Sequence, residues 1–325
     1  MTENLSNISA DARVLQDLDS FNPNGWVKAI APAKVNLHLA VSDLRPDGRH
    51  AVENIMHAVV LHDLVYVRRE PAAPGSGLKV EVAMLGRGDL PVPDVAVEDN
   101  IAYKAVVGFA AALGRTADET VRVRIEKNIP AQAGLGGGSS DAAATLVAIA
   151  HIWGASDQVQ AIEQVAATLG SDVAFFLHGG CAHFTGAGEQ FVRTLEPMKA
   201  SIVLVKPDRG VSTGAAYRTF DECPVAVPES IAQSAATAQR AEDLELFNNL
   251  APASERLDAQ LAEIRTWLLG QPGVSGALLC GSGSTTFALC DDFATACTVV
   301  AEARKQGLWA RATALGSVRA AVVSS

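Results

Sequence analysis

The sequence is poor in aromatic and charged residues and lacks any apolar run long enough to cross a membrane. Aromatic residues make up 5% of the 325 residues and charged residues 19%, whereas hydrophobic residues make up 49%. A membrane-spanning helix needs about 18 or more uncharged apolar residues in a row, and no stretch approaches that length. This composition excludes intrinsic disorder and indicates a globular chain of about two domains.

Basic blocks and paired cysteines are also missing. The chain has 26 basic and 36 acidic residues, a net charge of −10, and no basic block that could follow a phosphate backbone. We therefore expect no nucleic acid and no membrane as a partner. The five cysteines include no CxxC pair and no histidine at zinc-finger spacing, which indicates a reduced, cytoplasmic protein whose cysteines are small core residues.

The N-terminal 25 residues are polar and acidic and lack the basic and apolar regions of a secretory signal, so we predict a flexible extension over 1–25. A domain boundary is predicted after Pro197, dividing 26–197 from 198–325. In the first domain, the alternation over 35–41 predicts a half-buried strand. In the second, strands over 201–205, 276–279, 285–290 and 310–314, with helices near 242–250, 254–269 and 293–306, predict a small sheet with helices on one face.

The most unusual segment is PAQAGLGGGSSD at 130–141, which lies between a predicted strand and a strongly helical stretch. Glycine lets the backbone approach a ligand closely, and the first N–H groups of a helix have no partner within it. Strand, glycine loop and helix N-terminus in this order predict an anion cradle, which we interpret as a nucleotide phosphate site. Neither the P-loop motif nor the GxGxxG motif fits these spacings.

Three segments resemble, in the right order, the three motifs of the GHMP kinase superfamily: PAKVNLHL at 32–39, PAQAGLGGGSSDAA at 130–143 and LCGSGSTTFAL at 279–289. Within it, PDGRH at 46–50, LGSDVAFFLHGG at 169–180 and FNNL at 247–250 resemble the branch that phosphorylates 4-diphosphocytidyl-2-C-methyl-D-erythritol. The resemblance implies an α+β fold with two domains. The first is a ribosomal protein S5 domain 2-like α/β domain that binds ATP, and the second is a ferredoxin-like α/β sandwich.

The resemblance also implies an activity, the ATP-dependent phosphorylation of the 2-hydroxyl of that cytidine diphosphate ester in the non-mevalonate pathway. It places the catalytic residues at Asp172 and Lys34. These residue types suit the reaction, because a carboxylate can accept the hydroxyl proton and a cation can offset charge on the transferring phosphoryl group. The implied ATP-binding residues are Pro130, Ala131, Gln132, Ala133, Gly134, Leu135, Gly136, Gly137, Gly138, Ser139 and Ser140.

For the substrate, the resemblance assigns Asn36, His50, Tyr217 and Gly281, with His50 reading the cytosine base and Tyr217 forming an aromatic wall. Where the family usually has a tyrosine before that histidine, this sequence has Arg49, whose planar guanidinium can stack in its place. Mg²⁺ is expected to arrive with ATP and to touch at most Ser140, because no acidic pair beside the glycine loop forms a cage.

Two other functions stay open at this stage. Another GHMP kinase, acting on homoserine, mevalonate or a sugar, would show no dependence on cytidine. A ligand sensor that keeps the nucleotide fold without turnover is disfavoured, because both Lys34 and Asp172 are present. A phosphate-release assay with the cytidyl substrate separates the three possibilities.

Overall fold

The computed structural model describes residues 22–88 and 90–323, so most of the predicted extension over 1–25 lies outside the described residues. The strands form two sheets and are β1 (Val27–Leu44), β2 (His50–Pro71), β3 (Leu78–Gly86), β4 (Glu119–Lys127), β5 (Cys181–Thr185), β6 (Gln190–Leu195), β7 (Ser201–Lys206), β8 (Phe247–Asn248), β9 (Val274–Leu279), β10 (Thr286–Cys290), β11 (Trp309–Ala314) and β12 (Ala321–Val323). The helices are α1 (Ile101–Ala112), α2 (Gly137–Ile152), α3 (Val159–Leu169), α4 (Val173–His178), α5 (Thr213–Glu222), α6 (Glu229–Thr237), α7 (Ala251–Leu257), α8 (Gln260–Leu269) and α9 (Phe293–Lys305).

The larger sheet has the strand order β12-β1-β2-β4-β3, and β5 and β6 extend it from the first half of β2. A tight turn at 45–49 joins β1 to β2, as the Pro and Gly residues there predict. Helix α1 begins after Asn100, a residue type that favours the start of a helix, and the Asn100 side chain accepts a hydrogen bond from the Ala102 N–H at 2.9 Å. Helices α1 and α2 pack together beside this sheet and close the first core.

The smaller sheet has the order β11-β7-β10-β9 and is antiparallel throughout. Helices α8 and α9 cover one of its faces through a core that includes Ile264 and Val299. The opposite face, with Ile202 and Leu204, packs against the larger sheet. This strand order, with a helix before β9 and another before β11, is the ferredoxin-like arrangement, so the predicted fold class is confirmed.

Several sequence predictions were wrong in detail. β1 is buried on both faces, including its polar residues Asn36 and His38, because the face predicted to be exposed lies against other segments: Asn36 contacts Asn54, and His38 lies beside Phe247. The predicted helix near 242–250 is a 3₁₀ turn at Ala241–Asp243 followed by β8. Asn248 and Asn249 break the helix, because their side chains bind main-chain groups of distant segments instead.

The chain also returns to the larger sheet after β11, since β12 pairs with the first residues of β1. The predicted boundary at 197 falls between β6 and β7 and stays a prediction, but the last described residues lie in the larger sheet.

The cysteines are unpaired, and Cys223 and Cys297 are exposed, so the predicted core position is wrong for these two. Within 22–88 and 90–323, no helix is both long and apolar enough to span a membrane.

Candidate active site

Three adjoining cavities form one cleft along the line where the motif segments meet. The glycine-loop cavity is lined by residues 129–139, and the central cavity is lined by Lys34, Asn36, Asp172 and Gly281. The outer cavity is lined by Arg49, His50, Tyr217 and Asp221. The first two share Gly134 and Gly136, whereas the central and outer cavities share Ser171, Thr213 and Tyr217. A ligand in the central cavity therefore lies between the other two.

The glycine loop runs from the end of β4 to the start of α2. Gly134 and Gly136 both have φ near +72°, the left-handed region that glycine adopts without strain. Main-chain hydrogen bonds tie this loop to the other two motifs, from the Lys34 N–H to the Leu135 carbonyl and from the Thr285 N–H to the Ala133 carbonyl. The first ten of the eleven predicted nucleotide-binding residues line the cavity. The eleventh, Ser140, does not line it, and its buried hydroxyl has no hydrogen-bond partner.

A buried ion cluster lies beneath this loop. Lys127, the last residue of β4, contacts the carboxylates of Asp63 and of Asp141, the latter at 2.5 Å. Burial alone would lower the pKa of Lys127, but the two carboxylates outweigh it and raise that pKa. Burial, with the charge of Asp63 added, holds the pKa of Asp141 well above its usual range. Asp63 also accepts a hydrogen bond from the Ile129 N–H at 2.8 Å, so the cluster fixes the start of the loop.

The sequence did not reveal this cluster. Its one signal is Asp63, a carboxylate within the mostly apolar segment 55–67 of β2, which requires a buried partner. Lys127 is that partner, although it lies 64 residues away in the chain.

Lys34 and Asp172 meet in the central cavity. Lys34 Nζ lies 3.4 Å from Asp172 Oδ2 and donates a hydrogen bond to Asn36 Oδ1 at 2.9 Å. Asn36 in turn donates a hydrogen bond to Asn54 Oδ1 at 2.8 Å. Asn54 was not identified from the sequence. The Lys34 side chain is 5% exposed and that of Asp172 25% exposed. Asp172 precedes α4 but makes no capping hydrogen bond, so its carboxylate is available to the cavity.

Gly281 closes the central cavity from the side of the smaller sheet. Its φ is +57°, and a Cβ there would lie 3.7 Å from Lys34 Nζ and 3.6 Å from Asn36 Oδ1. The Asn248 side chain donates a hydrogen bond to the Gly281 carbonyl at 2.8 Å and so holds this loop. Lys34 and Asn36, which are neighbours in β1, and Gly281, which lies far from them in the sequence, therefore line one cavity.

The outer cavity contains an aromatic pair. The rings of His50 and Tyr217 stack with centroids 5.2 Å apart, and Tyr217 lines both this cavity and the central one. Burial, reinforced by the charge of Asp172, raises the pKa of Tyr217 to about 12. His50 Nδ1 lies 2.7 Å from the Ser42 carbonyl, and Nε2 lies 3.0 Å from Asp221 Oδ1. Both ring nitrogens therefore face hydrogen-bond acceptors.

Arg49 and Asp221 complete this cavity. Arg49 lines it but is 58% exposed and forms an ion pair with Asp47 at 3.4 Å. Asp221 was missed by sequence reasoning, because α5 was not predicted. Had that helix been assigned, the spacing of four residues from Tyr217 would have placed both side chains on one face.

The residues described offer no preformed metal cage. Across 22–88 and 90–323, no group of three or more His, Cys, Asp or Glu side chains could hold a metal ion. Buried oxygens without a hydrogen-bond partner do occur at the start of α2, on Ser140 and on the second carboxylate oxygen of Asp141.

Comparison with known proteins gives consistent similarities. The model of the GHMP kinases N terminal domain matches residues 100–180, and that of the GHMP kinases C terminal matches residues 229–307. A 4-diphosphocytidyl-2-C-methyl-D-erythritol kinase of Desulfitobacterium hafniense is 39% identical over 81% of this chain and 87% of its own length.

Solved structures agree with the sequence relatives. A crystal structure of 4-(cytidine 5'-diphospho)-2C-methyl-D-erythritol kinase superposes with a TM-score of 0.69 at 32% identity, covering 89% of this chain and 99% of that one. A homoserine kinase from Cytophaga hutchinsonii superposes with a TM-score of 0.67, covering 93% of this chain and 99% of that one. Its identity is 18%, so this second likeness concerns the fold alone.

Proposed function

Because the chain belongs to the 4-diphosphocytidyl-2-C-methyl-D-erythritol kinase family of GHMP kinases, we propose that its cleft transfers the γ-phosphate of ATP to the 2-hydroxyl of that compound. The observation that carries the proposal is the position of the Lys34–Asp172 pair. It lies in the central cavity, between a glycine-loop cavity suited to phosphates and an outer cavity suited to a base. Transfer from one ligand to another requires such a central position.

In this proposal ATP occupies the glycine-loop cavity. The N–H groups of the loop and of the first turn of α2 bind its phosphates, since they have no partners within the helix. Apolar side chains on the opposite wall, among them Met84, Val95 and Ile101, suit the adenine ring. A Cβ at Gly136 would lie 3.0 Å from Lys34 Cγ, so the loop passes directly over Lys34 and brings the terminal phosphate to the central cavity.

The acceptor hydroxyl is proposed to lie at Asp172. Its oxygen attacks the γ-phosphorus while the bond from that phosphorus to the ADP oxygen breaks, and the hydroxyl proton passes to the Asp172 carboxylate. The Lys34 ammonium offsets negative charge on the transferring group. Asn36 and Asn54 hold Lys34 in place through their hydrogen bonds. Lys34 and Asp172 are therefore the proposed catalytic residues, and the two asparagines position Lys34.

Mg²⁺ is proposed to enter bound to ATP, where it neutralises phosphate charge. The chain itself would supply few ligands to this Mg²⁺, because the Asp141 carboxylate is paired with the Lys127 ammonium. The buried Ser140 hydroxyl, which has no hydrogen-bond partner, is the group that suits one coordination position.

The cytosine end of the substrate is proposed to occupy the outer cavity. The Tyr217 ring lines this cavity and offers a stacking surface, and Arg49 offers a second planar group at the cavity wall. His50 Nε2 faces Asp221 at 3.0 Å, and in the proposed complex cytosine replaces that contact: Asp221 accepts from its amino group, and His50 donates to its N3 acceptor. Uracil reverses donor and acceptor at these two positions, so the same groups would reject it.

The test is an ADP-release assay on the purified chain with 4-diphosphocytidyl-2-C-methyl-D-erythritol, its uridine analogue, homoserine, mevalonate and galactose as separate acceptors. We expect turnover with the cytidyl compound and at least about 100-fold lower kcat/KM with each of the others. Equal or faster turnover with homoserine, mevalonate or galactose would overturn the proposal. ATP binding without turnover of any acceptor would favour the ligand-sensor alternative.

A further inference from the structure

A second cavity adjoins the glycine-loop cavity, and the two share the lining residues Pro130, Ala131 and Gln132. It has a volume of about 550 Å³, and we call it the basic cavity after its lining residues Arg87, Lys206, Arg304 and Arg311. Trp309 and Leu90 supply an apolar wall. It shares only residues 130–132 with the nucleotide site proposed above and none with the central or outer cavity.

The cations of this cavity are poorly neutralised. Arg87 is bound to Glu126 at 2.6 Å, but within 22–88 and 90–323 no carboxylate lies within 4.0 Å of Lys206, Arg304 or Arg311. Asp208 also lines the cavity, but the cations outnumber it, which is an uneven distribution in a chain with a net charge of −10. They give the cavity a positive potential, which attracts an anion.

Lys206 supplies the strongest evidence for an anionic ligand. It is 7% exposed, and its ammonium donates a single hydrogen bond, to the Pro207 carbonyl at 2.6 Å. Lys206 and Trp309 are cross-strand neighbours in β7 and β11, so their side chains project from the same face of the sheet. Burial lowers the pKa of Lys206, with Asp208 partly opposing it. A buried ammonium without a carboxylate is costly unless a ligand supplies the negative charge.

We propose that the basic cavity binds a small organic phosphate ester. Its phosphate group would contact Lys206, Arg304 and Arg311, because cations of this kind bind phosphate oxygens through charge-assisted hydrogen bonds. Its apolar or aromatic part would pack on Trp309. The ligand would occupy this cavity together with ATP, because the two cavities share only residues 130–132. The inference stands on the charges of this cavity and is independent of the acceptor specificity proposed above.

The probes are phenyl phosphate and inorganic phosphate, titrated by ligand-observed NMR. The full chain is first saturated with a non-hydrolysable ATP analogue, so that the glycine loop cannot bind the probe. We expect saturable binding of one phenyl phosphate, and weaker binding of inorganic phosphate. Arg311→Gln and Lys206→Met should each weaken binding by about tenfold, as expected for a lost charged hydrogen bond.

Lys305→Gln is the matched control, since this exposed lysine next to Arg304 pairs with Glu302 and does not line the cavity. It should leave affinity within about twofold of the wild type. Arg311 is exposed, so its variant keeps the test valid if Lys206→Met fails to fold. Absence of binding in the presence of the analogue, or equal affinity in the wild type and Arg311→Gln, would overturn the proposal. Equal affinities for the two probes would overturn the assignment of an organic ester.

Discussion

Replacing Asp172 by Asn tests the proposed chemistry most directly. The amide has nearly the same shape as the carboxylate, but it is a poor proton acceptor and carries no charge. We expect kcat to fall by roughly 10²–10⁴, the range for loss of a general base, while KM for ATP and for the cytidyl substrate changes by less than about threefold.

The structure also gives the scale of the effect on stability. At 3.4 Å two unit charges attract by about 5 kcal/mol at an effective dielectric constant of about 20, and by about 1 kcal/mol in water. Asp172 is 25% exposed, and Lys34 keeps its hydrogen bond to Asn36 in the variant. The free energy of unfolding should therefore fall by about 1–3 kcal/mol, between the values for an exposed pair and for a fully buried one. The variant should fold, so a loss of turnover would report on chemistry.

The assay is steady-state ADP release on wild type, Asp172→Asn, Lys34→Met and the double variant. If the two residues act as a unit, the double variant should be no more than about tenfold slower than the slower single variant. Asp157→Asn, at an exposed aspartate outside the three cavities, is the control and should be indistinguishable from wild type. Near-wild-type turnover of Asp172→Asn would remove this residue from the mechanism, and fully multiplicative effects would refute the pairing with Lys34.

Four further outcomes follow from the geometry. Gly136→Ala should weaken binding of a fluorescent ATP analogue by about tenfold or more, because Gly136 has a φ of +72° and a Cβ there would lie 2.6 Å from a phenylalanine ring. Gly138→Ala is the control and should leave this binding unchanged. His50→Ala should raise KM for the cytidyl substrate and reduce the preference over its uridine analogue, with kcat nearly unchanged. Asp63→Asn should lower the free energy of unfolding in urea by about 1–3 kcal/mol, because it removes one carboxylate from a buried lysine. Burial lowers the pKa of His57 below the value of about 6.5 that it has in the unfolded chain. The free energy of unfolding should therefore decrease as the pH drops below about 6.5. His57→Gln should make this decrease smaller between about pH 7.5 and 5.5, as measured by urea titrations.

The sequence was sufficient to predict those elements whose structure depends on residues close together in the chain. The glycine loop, the Asn100 cap of α1 and the turn at 45–49 follow from glycine freedom, side-chain capping and turn residues, and each lies within a few residues of its signal. The burial of β1 could not be predicted in the same way. Its alternating pattern indicates one polar face, but that face carries Lys34 and Asn36, which contact Asp172, Asn54 and the loop at Gly281, all outside β1.

The same distinction applies to the candidate site. Lys34, Asp172 and Gly281 were found through motifs whose residues are contiguous in the chain. The ion cluster at Lys127 was missed because it forms only through a partner that is distant in sequence, and Asp221 was missed because α5 was not predicted. A lone charge within an apolar strand is a usable signal for such a cluster, although it does not identify the partner.

Gly134 shows why the motif segments have to be treated as one unit. A Cβ at this position would lie 2.1 Å from the Cys280 carbonyl oxygen and 2.9 Å from that of Gly283, so a larger residue would push the glycine loop away from the loop at 280–284. That second loop also carries Gly281, which approaches Lys34. The close approach of two main chains from different sheets therefore sets the geometry around the transferred phosphate. The first residue of helix α5, Thr213, contacts this second loop, because its Oγ1 lies 2.9 Å from Ser282 Oγ. Tyr217 lies one turn later and adjoins the central cavity. We therefore expect substitutions at Tyr217 to change acceptor preference while leaving ATP affinity intact, whereas substitutions at Gly134 should change both.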